Sequence, residues 1–111
     1  MLTEALRLEG YLVAQAPHGR VALHLLEEIV PQGMLVDINM PVMSGPALLR
    51  EMQRRSMQLP CIIVTAQRNA MDQLASLPVD AVIAKPFDLD ELLATVVKVC
   101  GPAETPRAIG A

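Results

Sequence analysis

The chain has 111 residues, 52% of them hydrophobic and 19% charged, with a formal net charge of −3. That length is one domain's worth, and the composition excludes a disordered chain. Nine Lys and Arg scattered among twelve Asp and Glu supply no basic face for nucleic acid, and no apolar run approaches the roughly 18 residues of a membrane span.

Residues 2–9 put Leu2, Ala5, Leu6 and Glu9 at helical spacing, and Gly10 stops the run. This predicts a short helix, and its Glu4, Arg7 and Glu9 do not belong in a signal peptide. YLVAQA at 11–16 reads as a strand, followed by a turn at Pro17 and Gly19. Residues 19–30 carry the stripe Val21, Leu25 and Ile29, widened by Ala22 and Leu26, and read as a helix ended by Pro31 and Gly33. MLVDI at 34–38 is nearly continuous in apolar residues, as a strand buried on both faces should be.

NMPVMSG follows as a loop. The next helix spans 44–57, with Ser44 as N-cap and Pro46 in its first turn. Leu48, Leu49 and Met52 face inward there, while Arg50, Arg54 and Arg55 are solvated. CIIVT at 61–65 is a second buried strand, 67–76 a short, weakly amphipathic helix broken by Pro78, and DAVIA at 80–84 a third buried strand. In the last helix Asp88 is the N-cap and Glu91 its capping-box partner, ahead of Leu89, Leu92, Leu93, Val96 and Val97 at helical spacing. Residues 101–111 hold two Gly and two Pro without periodicity and read as a flexible tail. Strands that are apolar throughout and alternate with helices define an α/β fold, a parallel sheet covered on both faces with right-handed crossovers.

Three strands end in polar residues: Asp37, Thr65 and Lys85. In an open parallel sheet the strand C-termini share one edge, where ligands bind. Any one of these residues is an ordinary polar strand end. A carboxylate, a hydroxyl and an ammonium together suit phosphoryl chemistry, with the carboxylate as nucleophile and the other two meeting the negative oxygens. The remaining polar residues carry less. His18 and His24 lack acidic or Cys partners at ligand spacing and read as solvated or capping side chains. Cys61 and Cys100 lie in apolar runs and read as buried free thiols of a reducing compartment. The seven Met are gap-filling core, with Met40 and Met43 on the loop after Asp37.

The residues flanking those three ends resemble the receiver domain of bacterial two-component response regulators. LVDINMPVMSG (35–45) looks like that family's phosphoacceptor segment, IIVTA (62–66) its switch-hydroxyl strand and AKPF (84–87) its Lys-Pro signature. The resemblance implies a flavodoxin-like open parallel sheet of strand order 2-1-3-4-5 and a receiver unit over residues 1–100. It implies that Asp37 is the phosphorylated aspartate and that Thr65 and Lys85 hold the phosphoryl oxygens. Mg²⁺ would be held by Asp37 and the backbone carbonyl of Asn39, and the Lys85–Pro86 bond would be cis. The expected setting is a cytoplasmic phosphorelay. The chain is then a signalling domain rather than an enzyme, receiving phosphate from a histidine kinase or phosphotransfer protein and acting on a downstream protein target, not on nucleic acid or membrane.

The chain also departs from that family's pattern. Receivers begin with a further strand ending in acidic residues, and nothing before Leu2 reads as a strand or supplies an acidic pair. The absent strand belongs between YLVAQA and MLVDI, which predicts exposed strand edges, lowered stability or self-association. Without the acidic pair the Mg²⁺ site is short of ligands, and the chain is expected to accept phosphate poorly or not at all. Val82 stands where the family has an aromatic residue, so switching would rest on Thr65 and on movement of the loop and short helix that precede the last strand. The rival reading is a degenerate pseudo-receiver that docks proteins independently of phosphorylation. A hydrolase on a similar sheet is least favoured, since no general base beyond Asp37 is visible.

Overall fold

The computed structural model describes residues 2–38, 42–66 and 77–103. In chain order they form α1 (Leu2–Leu8), α2 (Gly19–Glu28), β1 (Met34–Asp37), α3 (Gly45–Arg54), β2 (Cys61–Thr65), β3 (Ala81–Ala84) and α4 (Leu89–Cys100). The helix expected at 67–76 lies outside the described residues. So do Asn39 and residues 104–111. No helix among the described residues is long and apolar enough to cross a membrane.

The strands pair in parallel in the order β1-β2-β3. Asp37 lies opposite Val64, and Thr65 opposite Ala84. All five residues of β2 are buried, because its two faces meet two different cores. Cys61 and Ile63 pack with Leu23 of α2 and Leu48, Leu49 and Met52 of α3. Ile62 and Val64 pack with Leu6, Tyr11, Ile83 and, from α4, Leu92 and Val96. A strand covered on both faces has no polar side to alternate with, which is why CIIV reads as an unbroken apolar run. β3 differs from the buried strand expected at 80–84. It is an edge, and only its Ile83 is buried while Val82 is 36% exposed.

Residues 11–16 are not a strand, which corrects the sequence expectation. Their β-like pattern has no ladder to join: 11–16 and the outer edge of β1 stand on either side of an apolar cavity of about 280 Å³, lined by Tyr11, Val13, Leu26, Met34, Leu35 and Val96 among others. A segment that pairs with no strand does not become sheet, whatever its side chains. Tyr11 still anchors it, buried and donating its hydroxyl to the Gly101 carbonyl at 2.6 Å. Gln32 Nε2 donates to the carbonyls of Cys100 and Pro102 at 3.1 and 2.9 Å. The chain is therefore held through Pro102, two residues into the segment read as a tail.

Two helices stop by the same device. After α1 the Tyr11 N–H reaches the Leu6 carbonyl and the Gly10 N–H that of Arg7, with Gly10 at φ 97°. After α3 the Met57 N–H reaches Met52 and the Ser56 N–H reaches Gln53, with Ser56 at φ 60°. This 6→1 and 5→2 closure ends α3 at Arg54, earlier than the apolar spacing through Met57 suggests. Along α3 Glu51 accepts hydrogen bonds from Arg54 and, at 2.7 Å, from Arg55 Nε. Those partners hold its carboxyl down at about 2, below the ordinary 4.5. A folded-state pKa below the unfolded one contributes stability above about pH 4.5 that is lost as pH falls toward 2. The stability gap between the wild type and Glu51→Gln is thus expected at pH 7 and absent at pH 2, as read from urea midpoints at the two pH values.

Cys61 and Cys100 are free thiols. Burial, helped by Asp80 and Cys100, pushes the Cys61 thiol up to about 12, so it stays protonated and unreactive at neutral pH. Asp80 also ties the entry of β3 to β2: its Oδ2 accepts from the Cys61 N–H at 2.8 Å and its own N–H donates to the Cys61 carbonyl at 2.9 Å.

Candidate functional site

Parallel strands deliver Asp37, Thr65 and Lys85 to one edge. Asp37 closes β1 and Thr65 closes β2, while Lys85 follows β3 directly and its N–H donates to the Thr65 carbonyl at 2.7 Å. From β3 to β1 is two strand spacings, roughly 10 Å, a span a lysine and an aspartate close from either side. They do so: Lys85 Nζ lies 3.0 Å from Asp37 Oδ2, with the two side chains 44% and 40% exposed. Thr65 is 2% exposed. The Lys85–Pro86 peptide bond is cis.

Asp37 and Lys85 open onto a cavity of about 710 Å³, walled by Glu4, Ala5 and Leu8 of α1 and by Leu35, Val36, Val64, Phe87 and Leu89. Thr65 is not on that wall. Glu4 is, and nothing in its local sequence announces it, because the direction α1 faces is set by packing rather than by its own residues.

The loop leaving Asp37 is seated on two helix starts. Gly45, the first residue of α3, donates its N–H to the Ile38 carbonyl at 3.0 Å. A Cβ there would overlap the Asp37 carbonyl oxygen and come 3.1 Å from Ile38 Cα and Val36 Cγ1. The motif glycine is therefore a close-approach residue. At α2 the Gly19 N–H donates to the Met43 carbonyl at 3.3 Å. His18 caps that helix, its Nδ1 accepting from the Val21 N–H at 3.5 Å, and Ser44 caps α3 through Ala47.

Between these seats Val42 sits at φ 65° and is 75% exposed. A β-branched residue in the left-handed region is strained, and this one has little packing to lose. Val42→Gly is expected to raise stability by about 1 kcal/mol, read as a higher urea midpoint at unchanged slope.

The described strands thus form a parallel sheet with an acid at one strand end and a lysine reaching it from another, an arrangement that comparison with known proteins identifies. The family model for the response regulator receiver domain matches residues 1–97. The chain belongs to this family, the receiver domains of two-component signalling. Regulatory protein AtoC of Escherichia coli K12 is 43% identical over 95 residues, covering 83% of this chain and 20% of AtoC. The transcriptional regulatory protein PrrA of Mycobacterium tuberculosis is 35% identical over 97 residues, covering 86% of this chain and 42% of PrrA. The chain thus spans less than half the length of these curated relatives.

Among solved structures, the receiver domain of a sensor histidine kinase from Pseudomonas aeruginosa, with a magnesium ion in its active-site cleft, superposes with a TM-score of 0.81 at 25% identity. The match covers 90% of this chain and 85% of that one. The response regulator TrrA of Thermotoga maritima, in complex with Mg²⁺-BeF, superposes at 0.79 with 31% identity, covering 88% and 85%.

The donors described here do not fit such an ion. Among the described residues no three His, Cys, Asp or Glu side chains are grouped to hold a metal. The Asp37 carboxylate already bonds the Lys85 ammonium, and Glu4 is the one other carboxylate on the cavity wall.

Proposed function

We propose that Asp37 is the phosphoryl acceptor of this receiver domain, with residues 1–100 as the working unit. The donor is a phosphohistidine on a histidine kinase or phosphotransfer protein of the cytoplasm, and the output is contact with a downstream protein. What supports the reading is one contact, the 3.0 Å approach of Lys85 Nζ to Asp37 Oδ2, at the end of a strand whose carboxylate opens onto a cavity. A carboxylate nucleophile needs no general base. Its oxygen attacks the phosphorus as the donor's nitrogen–phosphorus bond breaks, giving an acyl phosphate. The Lys85 ammonium then exchanges its contact with the carboxylate for the new phosphoryl oxygens, a fixed positive charge where negative charge gathers. Thr65, at the end of the middle strand, takes the role of a hydroxyl donor to the same group.

The test is incubation with acetyl phosphate followed by intact mass and borohydride reduction, which marks an acyl phosphate by converting the aspartate. A slow gain of one phosphoryl mass mapped to Asp37 is expected. Absence of any gain, or a label at another residue, refutes the assignment and favours docking without phosphorylation.

A further inference from the structure

We propose that in this chain the charge of Asp37 is answered by Lys85 in place of a divalent cation, so that residues 1–111 take up no Mg²⁺ in the acceptor cavity. The inference rests on reading this edge as the acceptor site, and it separates the chain from neighbours crystallised with magnesium there.

Three observations carry it. The ammonium of Lys85 is already within hydrogen-bond distance of the carboxylate, at 3.0 Å. A dication on Asp37 would stand beside that ammonium, like charge against like charge. Apart from Glu4, the remaining side chains of the cavity wall, from Ala5, Leu8, Leu35, Val36, Val64, Phe87 and Leu89, are hydrocarbon and offer no oxygens to replace the water a cation would shed. Finally, the described residues hold no cluster of three ligating side chains. Magnesium demands six oxygens in near-octahedral array and dehydrates reluctantly. It is usually held by one or two carboxylates while keeping several of its waters, and here the carboxylate at the end of β1 is already bonded to an ammonium.

The experiment is a titration of ¹⁵N-labelled 1–111 with MgCl₂, following the amide signals of Val36, Asp37, Thr65 and Lys85. A dispersed spectrum with no saturable shift up to about 20 mM Mg²⁺ is expected. In Lys85→Met, which removes the ammonium paired with Asp37, a saturable shift within that range is expected. Saturable uptake by the wild type in that range, lost in Asp37→Asn, overturns the proposal. So does a random-coil spectrum, since the pair needs β1 and β3 in register. Lys85→Met without any gain overturns the part given to Lys85. Phosphoryl incorporation at Asp37 is measured on separate samples, so a failure of the acceptor assignment is read independently of the cation result.

Discussion

On the proposed assignment, Asp37→Asn is expected to abolish phosphoryl incorporation and to leave the fold almost untouched. The two effects separate because they live on different links. Chemically, the amide oxygen of Asn is neutral and cannot replace an ionised carboxylate as nucleophile. Structurally, Asp37 and Lys85 are 40% and 44% exposed, and an ion pair in that setting contributes at most about 1 kcal/mol. The Asn side chain keeps the shape of the acid and can still accept from Lys85 Nζ. Urea midpoints of the two proteins therefore lie close together while mass spectrometry of acetyl-phosphate-treated samples differs completely. Lys85→Ala provides the contrast. It keeps the nucleophile and removes the charge facing the transferred oxygens, so incorporation falls by about 10²-fold rather than to nothing. If Asp37→Asn retained the phosphoryl mass, another residue would be the acceptor. If it unfolded the chain, the carboxylate would be structural.

How much of this was visible in the sequence depends on whether the cause was local. α2, α3 and α4 follow from apolar spacing and capping residues. β2 follows from its unbroken apolar run, since a strand covered on both faces has no polar side to show, whereas β1 is an edge among the described strands and of its four residues only Val36 is buried, short of the two-faced burial expected at 34–38. The convergence of Asp37 and Lys85 was also legible, because parallel strands put their C-termini on one edge and only side-chain reach remained to be checked. YLVAQA misled because strand formation is a property of pairs. Tyr11 is buried as a strand residue would be, yet nothing among the described residues bonds to that backbone as a ladder. Val82 misled for a related reason: an edge strand buries one face, and a four-residue apolar word does not say which strand is the edge. Glu4 could not have been placed on the cavity wall, because its position depends on the docking of α1, through Leu6, against Ile62, Val64, Leu92 and Val96 far along the chain.

Gly45→Ala is the substitution with the largest expected effect on stability, and its sign is what makes it informative. Gly45 is the first residue of α3, where Ala in place of Gly ordinarily stabilises a helix by up to about 1 kcal/mol. Here the added methyl has no room. It would overlap the Asp37 carbonyl oxygen and press to 3.1 Å on Ile38 Cα, both main-chain atoms that cannot rotate away. Either the acceptor strand or the start of α3 must move, at a cost of about 3 kcal/mol, the upper end for overpacking. Against a total stability of roughly 5–15 kcal/mol, that is a marked loss, visible as a lower urea midpoint. Because the displaced atom belongs to Asp37 itself, incorporation in the fraction that stays folded should fall as well. Gly33→Ala separates crowding from this specific contact. Its Cβ would collide with the Cys100 side chain, so it should destabilise by a comparable amount, yet recover in part when Cys100 is truncated to Ala and leave phosphoryl incorporation per folded molecule unchanged. No side-chain truncation rescues Gly45→Ala to the same degree, since Val36→Ala removes only the Cγ1 contact and leaves the carbonyl in place. Full rescue by Val36→Ala, or a gain in stability from Gly45→Ala alone, would mean that α3 does not seat on the acceptor strand as described.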